Sequence, residues 1–547
     1  FEMRLILVLT LASTALGGTW YYGRDQPDAW TQGEIWPLPY YVQFGKTTPI
    51  SPGKVTVTAG AADSCDIIQQ NVQQYVGSWL FPFPVNASTK APQYVVTIKL
   101  SGDCPTGVPP STMNETYSLQ VNANAATLTA SEVWGAIRGL ESFSQLVYYD
   151  EDSNSYMLRT AYVVDQPRFA WRGLMLDTSR HFLSVKAIKR ELDIMAANKL
   201  NVLHWHFTDS ESFSYESAKF PNLTAQGAYS PRHFYKRADL QDIVDYARIR
   251  GIRVIPEFDT PGHTGAWGGQ PGFLTQCYNS DGSTNDLPNL MDPSNEANFQ
   301  FLKDFFDEVA QTFPDEYMHL GGDEVSGYTT PCWVRNPDIQ AFMAAQGFTT
   351  TSQLENYYFQ RLEDIVNNQL SVKKQHIFWE EVLENNSADQ DAVIQIWEGD
   401  TFEEMAETIA ATTATGHRVI VSSCWYLNYV KYGADWDTYI ASVPQSRSDY
   451  YYCDPQSFDG TDDQKALVLG GIIGAWAEFF DTTNIEAILW PRGSAVAERL
   501  WSQASATTDA EAAWPRLHEF RCRMVSRGYR FSSNNWPDFC PFEYEQK

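Results

Sequence analysis

Two adjacent carboxylates, Asp323 and Glu324, stand directly after a glycine pair, Gly321–Gly322, that closes the short apolar run Tyr317–Leu320. Glycines at a strand end let another group approach the backbone closely, and paired acids at such a point suit proton transfer. The plainer alternative is an Asp that caps a helix and a solvated Glu. Other residues of the same chemical character recur at the ends of apolar runs. They are Asp177 and Arg180; His204, His206 and Asp209; Glu257, Asp259 and His263; then Trp379, Glu380, Trp397, Trp425, Tyr426, Asn428, Trp476 and Glu478. Taken singly, a Trp here reads as core and a His as a buried, hydrogen-bonded imidazole. Taken together, acids, one arginine and several indoles suit a neutral polar ring with apolar faces, which is a sugar. Phosphate is disfavoured, since no Gly-rich loop with a lysine stands among them.

The elements that must hold these residues alternate strand and helix. Strands are expected at Phe169–Leu176, Asn201–Phe207, Ile252–Phe258, Tyr317–Leu320, His376–Trp379, Ala392–Trp397, Arg418–Val421 and Leu469–Trp476. Between them, apolar residues recur at helical spacing from Ser184, over Asp239–Arg250 and over Asn295–Gln311. Ser352-Gln-Leu-Glu355 reads as a capping box. About eight strand–helix units imply an α/β protein with a (β/α)8 TIM barrel, whose active site lies at the C-terminal strand ends. The candidate residues fall there. Ahead of the barrel, strands at Val55–Thr58, Tyr94–Leu100, Tyr117–Val121 and Thr127–Thr129 and helices near Asp66–Val76 and Glu132–Val147 imply a small α+β domain. The boundaries read as residues 1–17 for a signal peptide, 18–167 for the α+β domain and 168–547 for the catalytic barrel.

The signal is read from Met3 as the start, with Arg4, the apolar stretch Leu5–Leu11 and the small-residue site Ala15-Leu16-Gly17. That stretch is too short to span a bilayer, and no later one is long and apolar enough. A net charge of −28 opposes nucleic acid and anionic membranes as partners. Eight cysteines suit a secretory chain, and sequence neighbours pair Cys65 with Cys104, Cys277 with Cys332, Cys424 with Cys453, and Cys522 with Cys540. Glycosylation acceptors are expected at Asn86, Asn114, Asn222 and Asn385.

Seven stretches, in order, carry a resemblance: Gly135–Gln145 (GAIRGLESFSQ), Asp177–His181 (DTSRH), Lys199–His206 (KLNVLHWH), Pro256–His263 (PEFDTPGH), His319–Val325 (HLGGDEV), Trp425–Asn428 (WYLN) and Trp490–Trp501 (WPRGSAVAERLW). The chain resembles the β-N-acetylhexosaminidases of glycoside hydrolase family 20, of the eukaryotic lysosomal or secreted type. The resemblance implies a retaining exo-glycosidase acting on terminal β-linked N-acetylglucosamine or N-acetylgalactosamine, in which the substrate's 2-acetamido oxygen attacks the anomeric carbon to give an oxazolinium. Glu324 is then the general acid and base, Asp323 holds the acetamido N–H, and Tyr426 donates to the acetamido oxygen. Trp379 and Trp397 wall the acetamido methyl, Trp476 floors the ring, Arg180, Asn428 and Glu478 bind hydroxyls, and Asp209 with His263 orients Glu324. Glu324 must start protonated, and the Asp323 anion beside it is expected to raise its pKa. The resemblance implies no cofactor or metal, a homodimer, and a lysosomal, vacuolar or secreted location.

The chain also departs from the family. Where relatives carry two acids after the second strand, Asp209 is followed by Ser210. Where relatives that accept 6-sulfated sugars place a basic residue after the Asn428 position, this chain has Tyr429, which implies weak activity on sulfated substrates. Three rivals stand beside this reading: a metal-dependent barrel hydrolase using His204, His206, Asp259 and His263, a non-catalytic glycan-binding protein, and an ordinary two-carboxylate glycosidase.

Overall fold

The structure, a computed structural model, describes residues 31–83, 92–286, 288–385, 388–428, 450–533 and 539–540. The expected signal peptide and Asn86 lie outside these residues.

Seven strands precede the barrel: β1 (Tyr41–Ile50), β2 (Val55–Thr58), β3 (Tyr94–Leu100), β4 (Tyr117–Val121), β5 (Ala125–Ala130), β6 (Val147–Asp150) and β7 (Ser155–Asp165). They form one sheet in the order β1-β7-β4-β5-β3-β2, with β6 also on β7. Three of them, β1, β6 and β7, are not anticipated by the sequence reading. Pro49 inside β1 argues against a strand, and β1 escapes that argument by lying at the sheet edge, where a proline costs no ladder bond. Its register also slips between Phe44 and Thr47, which absorbs Gly45 and Lys46.

Helix Val133–Gln145 is buried on every side, because it is pressed between this sheet and the barrel. Gly139 makes that approach possible: a Cβ there would meet Leu128 Cδ1 at 2.2 Å. On its barrel side, Arg138 donates to the carbonyls of Leu200, Arg250 and Gly251. Buried Glu115 joins the two domains, bonded to Arg138 at 2.8 Å and to Arg172 of the first barrel strand at 2.7 Å. Burial opposes its charge, but the two guanidiniums hold its carboxyl below the usual range. The last long helix, Ala510–Ser526, returns to the same place, where Arg523 donates to the carbonyls of Gln145 and Val147.

The barrel closes as expected. Its strands are β8 (Trp171–Asp177), β9 (Val202–Thr208), β10 (Arg253–Phe258), β13 (Tyr317–His319), β14 (Gln375–Trp379), β15 (Val393–Ile396), β16 (Arg418–Val421) and β17 (Val468–Ala475). The minor strands β11 (Cys277–Tyr278) and β12 (Thr284–Asn285) form a hairpin in one of its loops. Every ladder of the barrel is parallel. Strands β8, β9 and β10 are buried at every position, so burial shows no alternation, as a sheet covered on both faces requires. Chemistry alternates instead. On β9, Leu203, Trp205 and Phe207 join the outer core under the helices, whereas Val202 lines the interior with Met175, Ile255, Tyr317, Ile377 and Trp379. The same alternation turns His204 and His206 inward.

The helix expected to open on the Ser352–Glu355 box is instead Thr351–Asp364, capped by Thr350 and Gln353. Thr350 is extended and accepts from Gln353 N–H, whose side chain reaches back; Glu355 turns inward and takes a bond from Asn385 Nδ2 at 3.0 Å. The structure joins Cys65–Cys104, Cys277–Cys332, Cys424–Cys453 and Cys522–Cys540. Asn114 and Asn222 are exposed, and Asn385 is partly covered.

Candidate active site

The C-terminal ends of β8, β9, β10 and β13 bring the polar residues together. Asp177, the last residue of β8, accepts the N–H groups of Ser179 and Arg180 and, across the barrel seam, of Ala477. This fixes the turn that aims Arg180 back over the barrel mouth, where its guanidinium lies 4.9 Å from the Trp476 ring. Three carboxylates surround it: Asp209 at 2.7 Å, Glu211 at 3.1 Å and Asp177 at 3.3 Å. Burial opposes the arginine's charge, and these anions more than compensate. Glu211 was not singled out in the sequence. It stands two residues after Asp209, beyond Ser210, and its carboxylate reaches the same guanidinium.

The glycines before Asp323 are required by contact. Gly321 (φ +73°) and Gly322 (φ +106°) are left-handed. A Cβ on Gly321 would fall 1.8 Å from Asp259 Oδ1, and that oxygen accepts the Gly322 N–H at 2.9 Å. Asp259 is the group that approaches the backbone. It also faces Asp323; burial and this neighbouring charge push Asp259 well above the carboxylate range. Burial likewise raises Asp323, against the pull of His263. Asp323 is 8% exposed and takes a hydrogen bond from the raised Asp259 carboxyl.

Glu324 takes a different course. Its own left-handed backbone (φ +52°) swings the side chain outward, leaving it 57% exposed with Oε2 3.4 Å from His263 Nε2. Its pKa is lowered by the His263 contact, the reverse of the expectation that Asp323 would raise it. Both carboxyls face His263, whose Nε2 lies 3.9 Å from Asp323 Oδ2 and 3.4 Å from Glu324 Oε2, but Asp323 is in addition buried against Asp259 while Glu324 is exposed. His263 carries that charge because Asp209 and Asp323 hold it well up, although burial pulls it down.

Behind His263 the contacts run into the barrel. His263 Nδ1 lies 3.1 Å from Asp209 Oδ1, and Asp209 Oδ2 lies 3.2 Å from His206 Nε2. Next, His206 Nδ1 and His204 Nε2 both lie 2.7 Å from Glu257 Oε2. The other oxygen, Oε1, accepts from Trp379 Nε1 at 2.8 Å and lies 3.3 Å from His319 Nδ1. Burial would protonate Glu257, but the surrounding imidazoles, His206 foremost, hold it well below the carboxylate range. Burial takes His319 down to about 3, so this ring stays neutral beside the Glu257 carboxylate. His319 is a residue the sequence reading passed over inside a motif it quoted; its period-two spacing from Tyr317 on β13 is the signal that places it inward.

The aromatic residues cap the apolar barrel interior. Trp379, Tyr426 and Trp476 belong to its core. The Trp379 and Trp476 rings are 6.0 Å apart, and half-buried Trp397 is 6.3 Å from Tyr426. Trp397 Nε1 donates to Glu381, and a second Glu381 oxygen takes the Glu324 N–H; burial, then the Asp323 charge, lifts Glu381 to about 8. Tyr426 bridges to Gly474 of β17, where a Cβ would meet its ring at an ordinary contact distance of 3.6 Å. Asn428 is buried with Oδ1 unpartnered among the described residues. Glu478 stands exposed at the rim, within the field of Arg180. On the outer side of Glu324 a hollow of about 680 Å³ opens, lined by Tyr328, Glu355, Glu381 and Glu398.

The sequence pattern described as "Glycosyl hydrolase family 20, catalytic domain" matches residues 169–504, and one described as "beta-acetyl hexosaminidase like" matches residues 35–146. Beta-hexosaminidase A of Caenorhabditis elegans is 53% identical over 544 residues, covering 99% of this chain and 98% of that protein. Beta-hexosaminidase subunit beta of Homo sapiens is 40% identical over 513 residues, covering 90% and 87%. Among solved structures, the chitobiase of Flavobacterium johnsoniae matches with a TM-score of 0.73 at 29% identity, covering 90% of this chain and 73% of that one. With the catalytic-domain pattern spanning the whole barrel and relatives aligned end to end, the chain belongs to glycosyl hydrolase family 20.

Proposed function

We propose that this chain, a β-N-acetylhexosaminidase by its relatives, removes terminal non-reducing β-linked N-acetylglucosamine or N-acetylgalactosamine with retention, using the substrate's acetamido oxygen as nucleophile. One observation carries the reading: two adjacent acids that face one histidine differ in burial and in the direction of their pKa shifts. Asp323 is buried against a raised Asp259, and Glu324 is exposed. An acetamido N–H would give Asp323 a donor from the substrate, and the positive charge of an oxazolinium would restore its ionised form. A carboxylate aimed where charge develops needs no reorganisation at that moment.

Glu324 is exposed and shares the field of His263. A glycan covering it removes water and favours the neutral acid. The imidazolium 3.4 Å away is the adjacent proton source. In the first step Glu324 protonates the leaving oxygen; in the second it takes a proton from the attacking water. Asp209 holds His263, and through it the Glu324 carboxyl. Tyr426 donates to the acetamido oxygen, Trp379 and Trp397 enclose its methyl, and Trp476 supports the ring. Arg180, Asn428 and Glu478 bind ring hydroxyls. The hollow outside Glu324 takes the rest of the glycan.

The test compares aryl glycosides of N-acetylglucosamine, N-acetylgalactosamine and glucose, with a thiazoline analogue of the oxazolinium as inhibitor. We expect both aminosugars to be cleaved, glucose to be refused and the thiazoline to bind tightly. A glucoside cleaved at a comparable rate, or an inert thiazoline, would establish the two-carboxylate route instead. Weak activity on 6-sulfated sugars belongs to the same proposal; it rests on Tyr429, which lies outside the described residues, and equal rates on sulfated and neutral sugars would remove it. Homodimer formation and action in a lysosome or outside the cell are further parts of the proposal, open to light scattering and to localisation of the tagged chain.

A further inference from the structure

At the opposite end of the barrel, three side chains that the reaction does not use converge. His376 is the second residue of β14 and points away from the axis, since Ile377 and Trp379 line the interior. Glu363 is near the end of helix Thr351–Asp364, and Asp389 lies just ahead of β15. All three therefore sit at the N-terminal ends of the strands, away from Asp323 and Glu324.

His376 Nε2 lies 3.6 Å from Glu363 Oε1 and 3.5 Å from Asp389 Oδ1. Charge-assisted N–H···O bonds run about 2.7–2.9 Å, so both separations are long. Neither ring nitrogen of His376 has a hydrogen-bond partner among the described residues, although the side chain is 1% exposed. A tetrahedral zinc ion with N and O ligands at about 2.0–2.2 Å sets ligand atoms roughly 3.3–3.6 Å apart. Both measured separations fall in that span.

The surroundings suit a cation as well. Among the described residues neither carboxylate ion-pairs with a lysine or arginine, so two carboxyl groups face one imidazole. The carboxylates are held by further hydrogen bonds, as ligating carboxylates usually are: Asp389 Oδ2 accepts from Asn367 Nδ2 at 2.6 Å, while the oxygens that face His376 each accept one backbone N–H and keep a second lone pair, Glu363 Oε1 from Asp389 at 2.7 Å and Asp389 Oδ1 from Asp391 at 3.0 Å. The Asp389 side chain is 34% exposed, which gives an entry path and room for a water as fourth ligand. Imidazole with two carboxylates favours zinc over calcium or magnesium, which prefer oxygen alone. The geometry points to a structural divalent-cation site of the zinc type on the floor of the barrel, formed by Glu363, His376 and Asp389. The rival occupant is a proton: burial pulls His376 down, but Asp389 and Glu363 hold it up to about 9.

The full chain, stripped with a chelator, is titrated at neutral pH with zinc chloride, and in parallel with magnesium and calcium chloride, alongside Asp389→Asn and His376→Gln. The expected result is one zinc equivalent in the parent that both variants lose or bind at least tenfold more weakly. Zinc raises the parent Tm and not that of the variants, magnesium and calcium do neither, and the rate of glycoside cleavage is the same with and without chelator. Zinc can also settle on His263, Asp323 and Glu324, so the equivalent that counts is the one the variants lose. Should His376→Gln fail to fold, Asp389→Asn, at a partly exposed position, decides alone. The same zinc stoichiometry and Tm response in parent and Asp389→Asn would overturn the site and leave an imidazolium between two carboxylates.

Discussion

Replacing Asp209 by Asn tests the link between the barrel interior and the proton donor. Asp209 is 1% exposed and touches three cationic or ionisable partners: Arg180 at 2.7 Å, His263 at 3.1 Å and His206 at 3.2 Å. Burial opposes its charge, yet His263 and Arg180 hold its carboxyl well below the usual range. Asn keeps the shape but removes the anion and turns an N–H₂ toward groups that are themselves donors. Removing one partner of a buried pair costs about 3–5 kcal/mol. Arg180 keeps Asp177 and Glu211, which places the expected loss near the lower end, about 3 kcal/mol.

The sign with pH follows from the depressed pKa. The parent's stabilisation is fully present above the ordinary carboxylate range and is lost as pH falls through the lowered value. The gap between parent and variant should therefore close in strong acid. Catalysis supplies the second readout. Asp209 is the foremost charge holding a proton on His263; without it that pKa falls, and the alkaline limb of kcat/KM moves to lower pH. Loss of an oriented general acid costs about 10²–10⁴-fold, felt most on poor leaving groups. Urea midpoints at two pH values and pH–rate profiles on an aryl glycoside and a disaccharide measure both effects. An unmoved alkaline limb together with a stability change below about 1 kcal/mol would refute the chain of contacts as the support of Glu324.

Three further outcomes are expected. Glu324→Gln should nearly abolish cleavage of disaccharides while aryl glycosides with good leaving groups retain much of their rate; a uniform loss on both would deny Glu324 the role of acid. Asp323→Asn should cost about 2.7–4 kcal/mol in the barrier, the scale for one electrostatic stabiliser of a charged intermediate; a near-parent kcat would contradict its assignment. Glu211→Gln removes one of three carboxylates from Arg180 at a half-exposed position, so KM should rise a few-fold with kcat nearly unchanged, as about 0.2–1 kcal/mol for an exposed pair implies. A large fall in kcat would instead place Glu211 in the chemistry.

The barrel was legible because its signals are local. Apolar runs of strand length, helical spacing between them and polar residues at their C-terminal ends are properties of short stretches, and all eight strands formed within a few residues of expectation. Strand β1 was not legible, since a proline argues against a strand until pairing places it at an edge. The cap at Thr350 rather than Ser352 was settled by backbone angles, which two overlapping Ser/Thr-x-x-Glu/Gln patterns cannot rank.

For the site, the sequence by itself determined which side chains are present and that Asp323 and Glu324 follow two glycines. Only the tertiary structure decided their charges. The Asp259 carboxyl and the His263 ring come from the loop after β10, burial comes from the whole fold, and electrostatic free energy depends on distance through space and on exclusion of water. Two acids one bond apart along the chain thus acquire opposite pKa shifts, and Glu211, unremarkable in the sequence, becomes a partner of Arg180.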